Sequence, residues 1–229
     1  MIAERISKRL LAAADLVREG AVLADVGTDH AYLPIYLLTM GKISRAVLSD
    51  INEGPLASAR ANAASSGVSH LVRTRLCDGA SELSGEGATD YTILGMGGEL
   101  IADIIAAAPH LKDPALRIII QPMSRPEAAR RALFTLGFSI KKEVYCTDAG
   151  KHYVLMHAEY SGSPESFTEA DLHFGKAEHF KKPLSAEEIE YMKEKERVLL
   201  KIISGKEAGG DPTDKERELL LALRERIYD

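Results

Sequence analysis

"VLADVGTDHAYLP", residues 22–34, starts as an apolar strand and turns at Gly27. A chain built to seat a pyrophosphate would continue with more glycines, so that the phosphates rest on the N-terminus of the next helix. Asp29, His30 and Tyr32 stand there instead. With Asp25 inside the strand and Asp29 just past the turn, carboxylates occupy ground where a pyrophosphate would be repelled. Unless they are solvated or paired internally, they suit a ligand with a cationic end.

Outward from this stretch the chain alternates. Residues 3–18 carry Ile6, Leu10, Ala13 and Val17 on one helical face. Strands are expected at 22–26, 45–50, 71–78, 90–95 and 116–122, with helices at 31–40, 53–67, from 98 and at 125–137. Pro55 lies in the first turn of one helix and Gly67 at its stop. Two longer alternating strands, 138–146 and 151–160, are joined by a hairpin-like turn at 147–150. Repeated strand–helix units with unalternated apolar strands predict a doubly wound, Rossmann-like α/β sheet ending near Tyr160.

The remainder, 161–229, is expected to be a helical appendage. Residues 161–185 read as polar loop. Ser185 and Glu188 form a capping box for a helix over 185–205. Gly205, Gly209, Gly210 and Pro212 break it, and a second helix follows from 213. Ile189, Met192, Leu199 and Ile203 can face Leu219, Leu220, Leu223 and Ile227 in an antiparallel hairpin. The competing arrangement is two surface helices that rejoin the main domain.

Composition narrows the classes. The 229 residues are 45% hydrophobic, with 29 basic against 34 acidic side chains and a net charge of −5. A general basic coat for nucleic acid is absent, as is tryptophan. No apolar run reaches the ~18 residues of a membrane span, and the N-terminal stretch lacks a signal peptide's apolar core. Cys77 and Cys146 lie in apolar contexts without metal-ligand spacing, which predicts reduced thiols of a cytoplasmic protein and no metal. A monomer is the default expectation, because no exposed patch can be read from sequence.

Open sheets bind ligands at the carboxyl ends of their strands. The second expected strand ends at Asp50, followed by Ile51 and Asn52. The third ends at Cys77, Asp78 and Gly79, the fourth at Gly95, Met96, Gly97 and Gly98, and the fifth at Gln121 and Pro122. Asp50 is placed to accept hydrogen bonds from vicinal ribose hydroxyls, and Asp78 one from an adenine amino group. Each is also an ordinary turn residue. Acids at three successive strand ends, with Gly27 as the lone glycine of the first turn, fit S-adenosylmethionine, which carries an ammonium, a sulfonium, a ribose and an adenine.

The stretches "VLADVGTDHAYLPIYLL", "LSDINEGPLASARANA", "CDGA", "TILGMGGELIADII", "IIIQPMSRPEAARRAL" and "GKHYVLMHAEY" together resemble the bacterial tRNA adenine-N1 methyltransferases that modify adenine 22. The resemblance covers roughly residues 3–160, and the terminal helices are similar in placement to that family's appendage. It implies a methyltransferase using S-adenosylmethionine on tRNA. Gly27, Asp29, His30 and Tyr32 match the cofactor loop, Asp50 the ribose-binding acid, Asp78 and Gly79 the adenine-side turn, and Gly95–Gly98 the loop beside the methyl donor. The family's Q-P-N is here Gln121, Pro122 and Met123, so the third position has lost its amide.

Adenine N1 carries its own lone pair, so alignment and water exclusion matter more than a strong base. Methylation makes the base cationic. Asp29 is the expected carboxylate for that charge, unless it holds the cofactor's ammonium or caps the next helix. Gln121 is expected to present its amide to the adenine edge. His30 either touches ligand or satisfies a buried backbone group. The base must be turned out of the folded tRNA, which calls for local RNA contacts. Arg5, Lys8 and Arg9, then Arg125, Arg130 and Arg131, then Lys141 and Lys142, and in the tail Lys176, Lys181 and Lys182, are the basic groups available. A methyltransferase of a small molecule or protein, or a non-enzymatic partner-binding module, are the competing readings.

Overall fold

The computed structural model describes residues 6–228; Arg5 of the first basic group lies outside them. Its strands are β1 (Val22–Val26), β2 (Arg45–Asp50), β3 (Val72–Leu76), β4 (Asp90–Gly97), β5 (Arg117–Ser124), β6 (Phe138–Asp148) and β7 (Lys151–Tyr160). They form one sheet in the order β3-β2-β1-β4-β5-β7-β6. The first five are parallel, and β7 runs antiparallel between β5 and β6. The two-residue turn joining β6 to β7 places Ala149 and Gly150 at φ +48° and +74°. Two left-handed residues match the twist of the paired strands.

The helices α1 (Lys8–Leu16), α2 (Tyr32–Thr39), α3 (Glu53–Ser65), α4 (Gly98–Ala106) and α5 (Pro126–Leu136) cover both faces. Side chains alternate across a strand, so the run Ile118, Ile119, Ile120 is divided. Ile118 and Ile120 pack with Ile101 and Leu133 on one face, and Ile119 packs with Leu23 and Ile35 on the other. This is why the buried strands read as continuous apolar runs: both faces lie under helices. Pro34 does not disturb α2, because it sits in the first turn, where no backbone donor is needed.

Beyond Tyr160 the structure adds a helix that the sequence reading assigned to loop. α6 (Glu169–Phe174) is opened by a capping box between Thr168 and Asp171. It buries Leu172 and Phe174, the apolar patch in that polar stretch. α7 (Ala186–Gly209) starts at the expected Ser185–Glu188 box. It runs through Gly205, where a break was expected, and stops at Gly210 in the left-handed conformation. One helical glycine costs only ~1 kcal/mol, and Ile203 and the Lys206–Glu216 pair hold the last turns against α8 (Asp214–Tyr228). The two helices form the expected antiparallel hairpin. Its inner side chains Tyr191, Met192, Leu199 and Leu223 share one apolar cluster with Tyr145, Val154 and Phe174.

A buried ion pair stands where α5, β6 and α6 meet. Arg130, expected on an RNA-facing surface, is wholly buried. It donates to both carboxylate oxygens of Glu143 at 2.7 and 3.0 Å and to the Leu172 carbonyl at 2.7 Å. Burial opposes its charge, but Glu143 holds the guanidinium protonated well above the usual arginine range. The neighbouring basic groups are also spent internally: Arg125 pairs with Glu99 and Glu127, Arg131 with Glu169, and Lys176 with Glu165. An arginine is needed at residue 130 because its fork matches a carboxylate at two points. Arg130→Met strands the Glu143 charge and is expected to cost ~3–5 kcal/mol in urea unfolding. Arg130→Met combined with Glu143→Met is expected to recover most of that loss. A wild-type midpoint for the single variant would contradict this role.

Candidate active site

The sheet reverses its order between β1 and β4, and a cleft opens at their carboxyl ends. The turn after β1 is fixed from below, since the amides of Gly27 and Thr28 both donate to the Ser49 carbonyl, at 2.8 and 2.9 Å. Gly27 sits at φ +71°, and a Cβ there would lie 2.0 Å from the Met96 Cε. The left-handed φ calls for glycine here, and the Met96 methyl, the far end of a flexible side chain, takes up the space a Cβ would fill. The cleft has a volume of about 330 Å³ and is lined by Arg9, Asp25, Gly27, Asp29, His30 and Met96, among others. That size is typical of a small-molecule site, roughly 300–1,000 Å³. A larger cavity of about 710 Å³ lies between α6, α7 and α8, away from the strand ends and their acids.

Asp29 does not cap α2. The cap position is Ala31, in the left-handed conformation and without a side-chain cap bond. The Asp29 carboxylate is 81% exposed and 3.5 Å from the His30 Nε2. His30 is itself half-exposed, tilted against Tyr32 with ring centroids 5.2 Å apart, so it satisfies no buried backbone group with its ring. Asp25 is different. It is buried and accepts a hydrogen bond from the Thr92 hydroxyl at 2.7 Å. Burial pushes its carboxyl above the ordinary range, and the Thr92 bond opposes that shift only in part. Beside it the Thr28 hydroxyl is buried without a hydrogen-bond partner.

The β2 and β3 ends lie along the same edge, outside the residues that line the cleft. The Asp50 carbonyl accepts from the Cys77 amide at 3.1 Å, which brings Asp78 and Gly79 alongside. One Asp50 carboxylate oxygen accepts from the Asn52 amide at 2.7 Å, and Ile51 between them is exposed. Among the described residues no lysine or arginine pairs with Asp29, Asp50 or Asp78. At the end of β4 the pairing with β5 slips at Gly95, which is left-handed and puts Met96 into the cleft wall. Gly97 and Gly98 turn the other way. A Cβ on Gly98 would meet the Arg125 carbonyl oxygen at 2.0 Å, and one on Gly97 the Ser124 Oγ at 3.4 Å. Their small size serves the close approach of α4 to the end of β5.

Gln121, expected to face a substrate base, is completely buried. Its amide nitrogen donates to the Pro122 carbonyl at 2.9 Å, and its oxygen accepts from the Arg9 Nη1 at 2.5 Å. It reaches the cleft only through Arg9. The guanidinium of Arg9, expected among phosphate-binding groups, crosses from α1 to the cleft wall and lies 5.7 Å over the Tyr153 ring. Periodicity places Arg9 on an exposed helical face. Only the docking of α1 against β6 and β7 turns it inward. The result, among the described residues, is a cleft with one arginine or lysine, Arg9, facing carboxylates. This donor set fits an amino-acid end, which carries an ammonium and a carboxylate on one carbon, and the row of free acids along β2 and β3 fits the hydroxyls of a ribose.

Asp25 gives this site a pH signature. Its pKa is raised on folding, so the folded state binds more protons than the unfolded state between the two values. The stabilisation from protonated Asp25 is full below the ordinary carboxyl range and is lost as pH rises through the raised value. Asp25→Asn is expected to remove this decline. Thermal melts of wild type and variant over that range check it, and parallel pH profiles would refute it.

A methyltransferase-domain family model matches residues 6–156. The tRNA (adenine(22)-N(1))-methyltransferase of Bacillus subtilis is 36% identical over 155 residues, 68% of this chain, and the chain spans 65% of that relative's length. The solved structure of Streptococcus pneumoniae Sp1610 with S-adenosyl-L-methionine, named as a candidate tRNA (m1A22) methyltransferase, is 30% identical, with a TM-score of 0.81 over 97% of this chain and 100% of that one. M. capricolum TrmK with S-adenosyl-homocysteine is 25% identical, with a TM-score of 0.80 over 97% of each chain. With matching fold and a match over 97% of its length, this chain belongs to the bacterial tRNA (adenine(22)-N(1))-methyltransferase family.

Proposed function

We propose that the chain methylates N1 of an adenine in tRNA, adenine 22, with S-adenosylmethionine as donor. The observation that carries this reading is the cleft at the β1–β4 reversal, where Arg9 faces Asp29 and Asp25 beside a row of unpaired acids. Residues 1–160 form the cofactor-binding unit in this reading, and 161–229 the helical unit beside it. S-adenosylmethionine supplies a methyl group on a positive sulfur. Gly27 and Gly95 let backbone approach it, and Met96 packs beneath the turn. Arg9 holds the carboxylate of the donor's amino-acid end. Asp50, with one oxygen engaged by the Asn52 amide and the other available, takes the ribose, and the Asp78–Gly79 turn lies on the adenine side.

The adenine N1 needs no base, because its lone pair is free. The protein's task is to aim that lone pair, exclude water and accommodate the charge that develops on the base. Asp29 is the exposed carboxylate at the cleft mouth that serves this charge, with His30 and Tyr32 as the adjoining ring surfaces. Gln121 is a positioning residue. It fixes the Arg9 guanidinium by accepting its hydrogen bond, and it has no exposed surface with which to touch a base.

Unmodified tRNA incubated with the protein and S-adenosylmethionine is expected to yield 1-methyladenosine on digestion to nucleosides. Loss of the product when adenine 22 is replaced checks the position, and labelled tRNA without this nucleoside would overturn the reading. Asp29→Asn is expected to leave the melt unchanged and lower the single-turnover rate by about 10²–10³ at saturating substrates. A near-wild-type rate would remove Asp29 from the chemistry. Arg9→Met is expected to weaken S-adenosylmethionine binding by about 1.5–3 kcal/mol, the value of a charge-assisted bond. Calorimetry reads this directly, and unchanged affinity would assign Arg9 to the RNA instead.

A further inference from the structure

A second cleft, of about 550 Å³, lies beside the first, between the β6–β7 turn, the end of β5 and α7. We propose that it holds the nucleotide adjoining the target adenine, with the phosphate on Lys151, Lys195 and Arg197 and the base against Met123 and Tyr153. The inference rests on the tRNA methyltransferase reading and extends it to the flanking nucleotide.

Charge selects the class of ligand. The chain carries a net charge of −5, yet this cleft gathers Lys151, Lys195 and Arg197 against the single acid Glu194. Lys151 is exposed and in no ion pair among the described residues. Lys195 lies 5.0 Å over the Tyr191 ring, an aromatic face that leaves its ammonium free for an anion. Arg197 pairs with Glu194 at 2.7 Å, but both side chains are open to solvent, where such a pair is worth little. His152 is engaged at 2.9 Å with the Thr147 hydroxyl. Of the basic groups at α5, Arg130 is buried on Glu143, and Arg125 and Arg131 lie in exposed pairs with glutamates as Arg197 does; among the described residues the cleft adds Lys151 and Lys195, which are in no ion pair.

Position selects which nucleotide. The two clefts share a wall. The Met123 sulfur lies 3.6 Å from the Gln121 amide nitrogen, Gln121 holds Arg9, and Arg9 rests on Tyr153. Met123 is 46% exposed and forms part of the second cleft. A thioether is a pliant apolar surface on which a base can lie, whichever base it is. A polar side chain there would read base edges instead. A phosphate held on one side of this wall therefore sets the distance to the base turned out on the other, which is how backbone contacts fix register.

The test uses Lys151→Ala with Lys195→Ala in the full-length protein. Both side chains point to solvent or to a ring face, so the melt is expected to stay at the wild-type value. The KM for unmodified tRNA is expected to rise about tenfold or more. The log–log salt slope of tRNA binding is expected to fall by about 1.4, since each contact to a single strand contributes ~0.7. Calorimetric affinity for S-adenosylmethionine stays unchanged. Met123→Ala is expected to weaken stacking, read as increased fluorescence of a 2-aminopurine placed next to adenine 22 in the complex. Wild-type KM and slope in the double variant, with wild-type methylation intact, overturn the cleft assignment and leave the methyltransferase reading standing. A wild-type protein that binds S-adenosylmethionine but leaves tRNA unmethylated overturns both.

Discussion

Residue 27 turns the chain in the left-handed region that favours glycine, and the site is arranged around that constraint. The turn leaving β1 passes the end of β4, and the Met96 methyl fills the space where a Cβ would stand. Two amides bonded to the Ser49 carbonyl pin the same turn to β2. The point at which the sheet reverses is therefore tied to strands on both sides. Asp29 and His30 are carried outward by this turn, and Asp25 is left buried beneath it. A nucleotide-binding turn with three glycines would bring the backbone to a phosphate. A turn with one glycine brings acids to the same place and selects a ligand of the opposite charge.

The cleft's selectivity follows from how few charges are left free. Glu143 neutralises the buried Arg130 and Glu165 the half-buried Lys176, while Arg125 and Arg131 lie in exposed pairs with glutamates. In a chain of net charge −5 the cations that remain near the strand ends carry the recognition of anions. Arg9 faces the first cleft and is held there by Gln121, a residue that never reaches the surface. The cost of burying a glutamine is met by satisfying its amide at both ends. Such a residue acts at one remove: its contribution is the direction in which another side chain points.

The helical part is joined to the sheet by chemistry as well as by apolar contact. Arg130 ties α5 to β6 through Glu143 and to α6 through the Leu172 carbonyl. Tyr191 from α7 lies tilted against Tyr145, ring centroids 4.8 Å apart, and the Tyr145 hydroxyl bonds to the same glutamate. A buried charge pair is weak as a source of stability and strong as a constraint on arrangement, because any displacement strands one of its members. Through Tyr145 and Tyr191 this junction also meets α7, which lines the second cleft.

Local pattern was enough for the elements. The apolar runs, the Ser185–Glu188 capping box, the Ala149–Gly150 turn and the alternation of strand and helix were legible because each depends on neighbours within a few residues. The single glycine at residue 27 and the acids at 29, 50 and 78 were legible for the same reason, as properties of strand ends. What sequence could not settle was partnership. Nothing local distinguishes Arg130, buried on Glu143, from Arg131, exposed on the same helix. Nothing local turns Arg9 inward or withdraws Gln121 from the surface. Those outcomes depend on residues far apart in the chain, 13 positions for Arg130 and Glu143 and 112 for Arg9 and Gln121, meeting once the sheet is packed. The sequence determined where the strands end and which charges stand there; only the tertiary structure decided which charges are spent on each other and which are left for a ligand, because a side chain's free energy depends on the partner it meets once water is excluded.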